Sequence, residues 1–293
     1  MEDSYVLITP VKNEEKFIKD IIEIVIQQTI LPTRWVIIDD VSTDSTPEII
    51  NEYSKKYDFI TPLKLSDEHT RNYGSRVKAN ILGYEKLAET HSKFLGFLDA
   101  DISFSFDYYE SIFRKFEMDD RLGVAGGVVF DEYNGKLDSI RLKALEHVAG
   151  GVQMFRRDCY DAIGGYIPLQ FGGDDFVAET MARKLGWRTQ SFPEIKVIHR
   201  RITGTEEVKT KLLLKVREGF MDYSIGYSKC YHTLKCISKL MEKPIIISSI
   251  ARLFGYCWAS LKLRKPFVPT DFVEYVRKEQ IAKIKEKFNL ISP

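Results

Sequence analysis

The first hundred residues alternate between two spacings of apolar positions. Short apolar runs at 5–9, 35–38, 60–65 and 94–98 read as strands, the third weaker than the others. Between them, Ile18, Ile21, Ile22 and Val25 recur at helical spacing, and 77–87 also reads as a helix. A further helix starts near Thr46, which can cap it, with Pro47 suited to the first helical position and Glu48 to the positive end of the dipole. Strand and helix in alternation predict an α/β fold with a mostly parallel sheet flanked by helices. Beyond residue 101 the pattern is less regular. Strands are expected at 124–130 and 151–155 around a helix at 139–148. A helix from Asp174 is stopped by Gly186, and strands at 188–192 and 196–198 follow. From about residue 205 the chain turns helical and basic, with no internal repeat and no low-complexity segment.

Length then sets the domain count. The 293 residues suffice for one α/β domain of about 200 residues and an appendage. The expected division is 1–205, with halves 1–101 and 102–205, followed by a helical region 206–293. Hydrophobic residues make up 44% and charged residues 29%, as in an ordinary folded protein. The net charge of +1 gives no drive toward nucleic acid. Cys159, Cys230, Cys236 and Cys257 form no CxxC pair, which disfavours a zinc site or a disulfide framework and suits a reducing, cytoplasmic setting. The start of the chain has neither the basic residues nor the apolar core of a secretion signal.

Acidic residues close two of the apolar runs: Asp39-Asp40 after 35–38, and Asp99-Ala100-Asp101 after 94–98. In an open α/β sheet the carboxyl ends of the strands line the ligand crevice. Carboxylates gathered there repel one another unless something positive lies between them, and a divalent cation carrying a nucleoside diphosphate is such an occupant. Each cluster also has a plain structural reading. Asp40 can stabilise the turn that follows it, with Asp39 structural in either case, and Asp99 and Asp101 can belong to a solvated strand end. Asp174-Asp175 follows Gly172-Gly173 and opens a helix, whose N-terminus keeps a carboxylate ionised as a general base requires; a helix cap is the alternative. His199 ends the last strand as a candidate cation ligand or a structural imidazole, and Arg200 and Arg201 behind it can meet phosphate or face water. No dinucleotide fingerprint, P-loop or nucleophile elbow is present.

Taken in order, these segments resemble the family 2 glycosyltransferases of the GT-A fold over about the first 200 residues. Thr9-Pro-Val-Lys-Asn-Glu-Glu resembles the family's first strand and nucleotide-contacting loop, which places Pro10, Val11, Asn13 and Glu14 at the donor. Ile38-Asp-Asp-Val-Ser-Thr-Asp-Ser-Thr is similar to the family's VDDxSxDxT segment, where the second acid, here Asp40, contacts the nucleobase, usually uracil. The segment 71–80 looks like the Gly and Arg/Asn stretch before the metal motif and supplies Arg71 and Arg76. Asp99-Ala100-Asp101 resembles the DxD site for Mg²⁺ or Mn²⁺ and ribose, with His199 where many members carry a third ligand. Gly150, Gly151 and Gly173 fall in acceptor-side stretches. Gly172-Gly-Asp-Asp175 is similar to the "ED" motif that carries the base, here Asp175, with Asp174 standing where the family has Glu. The resemblance implies an inverting enzyme that takes a nucleotide-diphosphate sugar, UDP-linked in most members, to a glycan or lipid-linked acceptor. The QxxRW motif of processive polymerases is absent, which implies transfer of one sugar.

Two other functions are compatible with parts of this pattern. A nucleotidyltransferase of related architecture would need a glycine-rich loop with Arg and Lys after the first strand, and that loop is missing. A silent nucleotide-sugar binding protein would not need the acids at 40, 99, 101 and 175. In the C-terminal region, 244–261 is apolar with Arg252 as its one charge, short for a spanning helix. It reads either as an interfacial helix on the cytoplasmic face of a membrane, with Tyr256 and Trp258 at headgroup level and flanking lysines, or as a helix packed on protein or on a second subunit.

Overall fold

A computed structural model describes residues 4–66, 73–133, 136–138, 145–201 and 208–289. The chain clusters into two compact units; among the described residues one holds nine strands and six α-helices, the other four α-helices and the segment Leu169–Gly173.

In the first unit, β1 (Tyr5–Val11), β2 (Arg34–Asp39), β3 (Ile60–Lys64) and β4 (Phe94–Phe97) pair in parallel in the order β3-β2-β1-β4. Their interleaved helices are α1 (Ile18–Ile26), α2 (Thr46–Ser54) and α3 (Tyr73–Lys86). β1, β2 and β4 are continuous apolar runs because both faces are covered; Val6, Ile8, Trp35, Ile37, Phe94 and Leu95 are all fully buried, whereas the edge strand β3 buries only Ile60. Four parallel strands therefore end on one edge, and Val11, Asp40 and Asp99 leave the sheet together.

The rest of the sheet is mixed. β5 (Ile102–Phe104), β6 (Leu122–Tyr133), β7 (Lys136–Asp138), β8 (Met154–Arg156) and β9 (Arg188–His199) continue the order as β4-β8-β6-β9-β5, with β7 on β6. β8 runs antiparallel to both β4 and β6, whereas β6 and β9 are parallel. Helices α4 (Tyr108–Met118), α5 (Arg157–Ala162) and α6 (Asp174–Lys184) complete the unit. α4 buries Tyr108, Tyr109, Ile112, Phe113 and Phe116 as one face.

Several sequence expectations are corrected here. The two short strands expected at 188–192 and 196–198 are one strand. Residues 193–195 form an irregularity opposite Gly127 and Val128, so the strand resumes its register after Pro193. The strand expected from Gly151 begins at Met154, because Gly150–Val152 is a 3-10 turn. The residue before α2 is Ser45 rather than Thr46. The Thr46 hydroxyl is already committed, accepting from the Glu14 amide at 2.8 Å and donating to Asp44 at 2.6 Å. The helix expected at 139–148 lies partly outside the described residues, and 145–149 is not helical.

The second unit contains α7 (Val208–Ser224), α8 (Lys229–Ser238), α9 (Ile247–Lys262) and α10 (Thr270–Asn289). α7 and α9 meet backbone to backbone: a Cβ at Gly219 would lie 2.1 Å from the Arg252 carbonyl, and one at Gly255 2.0 Å from that of Val216. Arg252 is fully buried and bonds Glu218 and Glu242, each at 2.8 Å. Buried Asp222 accepts from Lys235 at 2.8 Å and lies 2.9 Å from His232 Nδ1. Tyr256, for which the sequence left a headgroup position and packing on protein both open, is buried and donates its hydroxyl to the Tyr227 carbonyl at 2.7 Å. Among the described residues no helix is long and apolar enough to cross a membrane.

Candidate active site

The carboxyl edge of β1, β2 and β4 opens into a cavity of about 750 Å³. Pro10, Val11, Lys12 and Glu14 line it from the end of β1, Asp40 from β2, and Asp99, Ala100 and Asp101 from β4. Ser75, Arg76 and Ala79 face it from α3, and Asp174 from the start of α6. Asp40 and Asp101, some sixty residues apart in sequence, thus border one hollow.

The loops after β1 and β2 are stitched together. Asn13, at φ +55°, donates its amide to Ser42 Oγ at 2.9 Å and accepts from the Thr43 amide at 2.8 Å. Asn13 therefore positions the loop and is not among the residues lining the cavity. Asp39 is buried and accepts from the Ser42 amide at 3.0 Å, a structural role that leaves Asp40 facing the hollow. Val41 between them is held at φ +56°, a costly conformation for a β-branched residue. Such strain persists where the surroundings over-determine it, as this cross-linked turn does.

Arg76 bridges sites far apart in sequence. Its guanidinium lies 3.3 Å from both Asp99 oxygens and 3.1 Å from Asp174. The Asp99 carboxylate, and then that of Asp174, hold Arg76 firmly charged against the cost of burial. Asp174 is itself buried, and burial pushes its carboxyl up despite Arg76. Across the hollow, Asp101 lies 3.3 Å from His199 Nε2 and accepts from Arg201 at 2.8 Å. Burial opposes ionisation of Asp101, but the bonds from His199 and Arg201 outweigh it and hold the carboxyl below its ordinary range. The same contact raises His199. Arg201 also grips both oxygens of Glu14 at 2.7 Å, while burial pushes that carboxyl up.

Asp99, Asp101 and His199 were expected to share a cation. Asp101 and His199 meet, but Asp99 is drawn to Arg76, and among the described residues no three acidic, histidine or cysteine side chains form a metal cluster. The donor set of carboxylate and imidazole still suits a cation that takes its other ligands from phosphate and water. Gly151 makes room for this arrangement: a Cβ there would lie 2.4 Å from Asp99 Oδ2, and its carbonyl accepts from the Asp99 amide at 3.0 Å.

Asp175 sits beside the hollow. A Cβ on Gly150 would lie 3.1 Å from Arg76 and 3.3 Å from Asp175, so these groups surround one glycine. Gly173, at φ +92°, faces Met221 of α7 and Ile225 just beyond it, and is not among the residues lining the cavity. Arg71 lies outside the described residues. The sequence reading did not anticipate Ser75 and Ala79, although with Arg76 they occupy one face of α3 at helical spacing. It also passed over a buried network. Fully buried Glu179 accepts from the Val148 amide at 2.6 Å and Gln153 Nε2 at 2.8 Å, and lies 2.8 Å from His147 Nδ1.

The fold is that of GT-A glycosyltransferases. A mannosyltransferase from Pyrobaculum calidifontis, solved with GDP-Man and Mn²⁺, matches 89% of this chain and 74% of its own with a TM-score of 0.56 at 16% identity. GalNAc-T7 with UDP, GalNAc and Mn²⁺ matches 89% and 56% of the two chains (TM-score 0.58, 16% identity). S. aureus TarS 1-349 with UDP-GlcNAc matches 89% and 91% (TM-score 0.52, 13% identity). These likenesses concern the fold. The chain belongs to the Glycosyl transferase family 2, whose family model matches residues 6–171. It is 30% identical over 122 residues to the minor teichoic acid biosynthesis protein GgaA of Bacillus subtilis, a match covering 41% of this chain and 26% of that protein. It is 23% identical over 297 residues to 4,4'-diaponeurosporenoate glycosyltransferase of Staphylococcus aureus, covering 93% of this chain and 73% of the other.

Proposed function

We propose that this protein transfers a single sugar, with inversion, from a nucleotide-diphosphate sugar, most readily a UDP-sugar, to a glycan or lipid-linked hydroxyl. The observation that carries the reading is one hollow bordered by Asp40, Asp99, Asp101 and Arg76, with Asp175 at its margin. Asp40 receives the nucleobase. Arg76 neutralises charge beside the diphosphate. Asp99, Asp101 and His199 are the residues that would hold Mg²⁺ or Mn²⁺, which when bound supplies positive charge to the departing diphosphate. Asp175 takes the acceptor proton as its oxygen attacks the anomeric carbon. Asp174 is ion-paired to Arg76 and buried, which leaves Asp175 as the free base.

The test is release of nucleoside diphosphate from UDP-, GDP- and dTDP-sugars with Mn²⁺. Asp175→Asn should lower turnover by about 10²–10⁴-fold with little change in donor affinity. Pyrophosphate release would favour a nucleotidyltransferase instead, and binding without turnover would favour a silent binding protein.

A second part of the reading places the protein on the cytoplasmic face of a membrane. Ile247, Ile250, Phe254, Trp258 and Leu261 form an exposed apolar stripe along α9, opposite its buried face. Lys262 lies 4.9 Å from the Trp258 ring, and Lys239, Lys243, Arg264 and Lys265 flank the stripe. An apolar face with cations before and after it along the chain matches an anionic lipid surface.

A further inference from the structure

Beneath Asp175 lies a polar chain that donor binding does not use. His147 presents Nε2 3.9 Å from Asp175 Oδ2 and Nδ1 2.8 Å from Glu179 Oε2. The other Glu179 oxygen is saturated by two donors, the Val148 amide and Gln153 Nε2. The orientation of Gln153 is fixed in turn: Nε2 also donates to the Val148 carbonyl at 3.2 Å, and Oε1 accepts from Tyr166. With both donors on Oε1, Oε2 faces His147 Nδ1; burial pushes the Glu179 carboxyl up, while the bonds from His147 and the Val148 amide favour its charged form, in which the proton sits on Nδ1 and Nε2 turns its lone pair to Asp175. His147 and Asp175 are partly exposed while Glu179 is almost wholly enclosed, so the chain runs from the rim inward.

We infer that His147 is a positioning residue that relays the proton taken up by Asp175, with Glu179 fixing its tautomer and stabilising the imidazolium. The inference rests on the reading of Asp175 as base. As the acceptor oxygen bonds to the anomeric carbon, its O–H bond breaks and the proton passes to Asp175 Oδ2. The bond from the anomeric carbon to the phosphate oxygen breaks, and its electron pair leaves with the nucleoside diphosphate. The proton then moves from Asp175 to His147 Nε2, and from there to water, restoring both groups. The gap of 3.9 Å exceeds hydrogen-bond length by under about 1 Å, the reach of a small side-chain rotation or one bridging water. Catalytic hydrogen bonds of this kind commonly tighten only when substrate is bound.

Among the described residues, charged groups facing this pair include Glu179 and Asp175 on α6, with Asp174 and Arg76 next to Asp175. A neutral Nε2 is required, so the rate should fall on the acid side with an imidazole-like limb, above the range of a lone carboxylate. The experiment measures nucleoside diphosphate release, with water as acceptor, from whichever of UDP-glucose, UDP-GlcNAc and GDP-mannose turns over fastest. Saturating Mn²⁺ and donor remove His199 from the profile. The intact protein should show that limb. His147→Gln should lower kcat about 10–100-fold at unchanged donor KM and shift the limb down by at least one pH unit, and imidazole should restore part of the rate to His147→Ala. An intact-protein limb near pH 4, or a His147→Gln profile parallel to it, overturns the relay. The intact profile decides the matter even if the variants do not fold. Loss of turnover in Asp175→Asn beside a fully active His147→Gln defeats the relay alone; a fully active Asp175→Asn defeats the base assignment with it.

Discussion

Replacing Gly151 by Ala probes the acidic edge with a single methyl group. The new Cβ would stand 2.4 Å from Asp99 Oδ2 and 2.7 Å from its Cγ. Ordinary carbon–oxygen contact is about 3.4 Å, so the carboxylate must retreat by about 1 Å. The Gly151 backbone does not have the positive φ that penalises alanine, and the bond from the Asp99 amide to the Gly151 carbonyl can remain, so the fold should be little affected. Displacement of a site group by about 1 Å costs on the order of 10²-fold in rate, or about 2.7 kcal/mol. Nucleoside diphosphate release with Mn²⁺ reads the rate, and calorimetry with UDP and Mn²⁺ reads affinity. Asp99→Ala and the double variant close a thermodynamic cycle. If the methyl acts through Asp99, the two losses are strongly non-additive. Additive losses, or a Gly151→Ala rate within threefold of the parent, refute the reasoning.

Three other perturbations address the rest of the molecule. Arg252→Met removes a buried guanidinium from Glu218 and Glu242, which keep Lys215, so the melting temperature should fall with a loss of about 1–3 kcal/mol. Burial raises the Glu242 carboxyl, but Lys215 and Arg252 outweigh it and bring it down to about 2 from an ordinary 4.5. Its contribution is therefore fully present above pH 4.5 and lost as pH falls toward 2; discounted for its exposure it is about 1–2 kcal/mol, and acid titration of Glu242→Gln followed by circular dichroism should show a correspondingly shallower slope. Ile250→Glu with Phe254→Glu should abolish flotation with anionic vesicles and leave donor turnover intact; undiminished flotation would remove the membrane reading.

The parallel half was legible because β1, β2 and β4 are continuous apolar runs and each of these runs ends in chemistry-bearing residues. Asp40, Asp99 and Asp101 could be assigned to one edge from that alone. The mixed half was harder to read for physical reasons. β5 and β8 have three residues each, too few for a period, and Pro193 breaks the pattern of β9 without ending the strand. The aromatic face of α4 carried a helical spacing that went unread. Ion pairs were beyond reach altogether: Arg76 joins Asp99 and Asp174 across 23 and 98 positions, and Glu179 looks from sequence like any acid on an amphipathic helix.

The seam between β4 and β8 has a mechanical consequence. The strands bearing Asp40 and Asp99 and those following the glycine turn form one hydrogen-bonded lamina, joined where Phe94–Gly96 pair with Met154–Arg156, and the bond from the Asp99 amide to the Gly151 carbonyl carries the seam to the hollow. Such a lamina does not part like jaws. If the proposed donor binds here, Arg76 and Arg201, each already paired with carboxylates, are the built-in counter-ions whose partners its phosphates would exchange, with no need to prise the protein open.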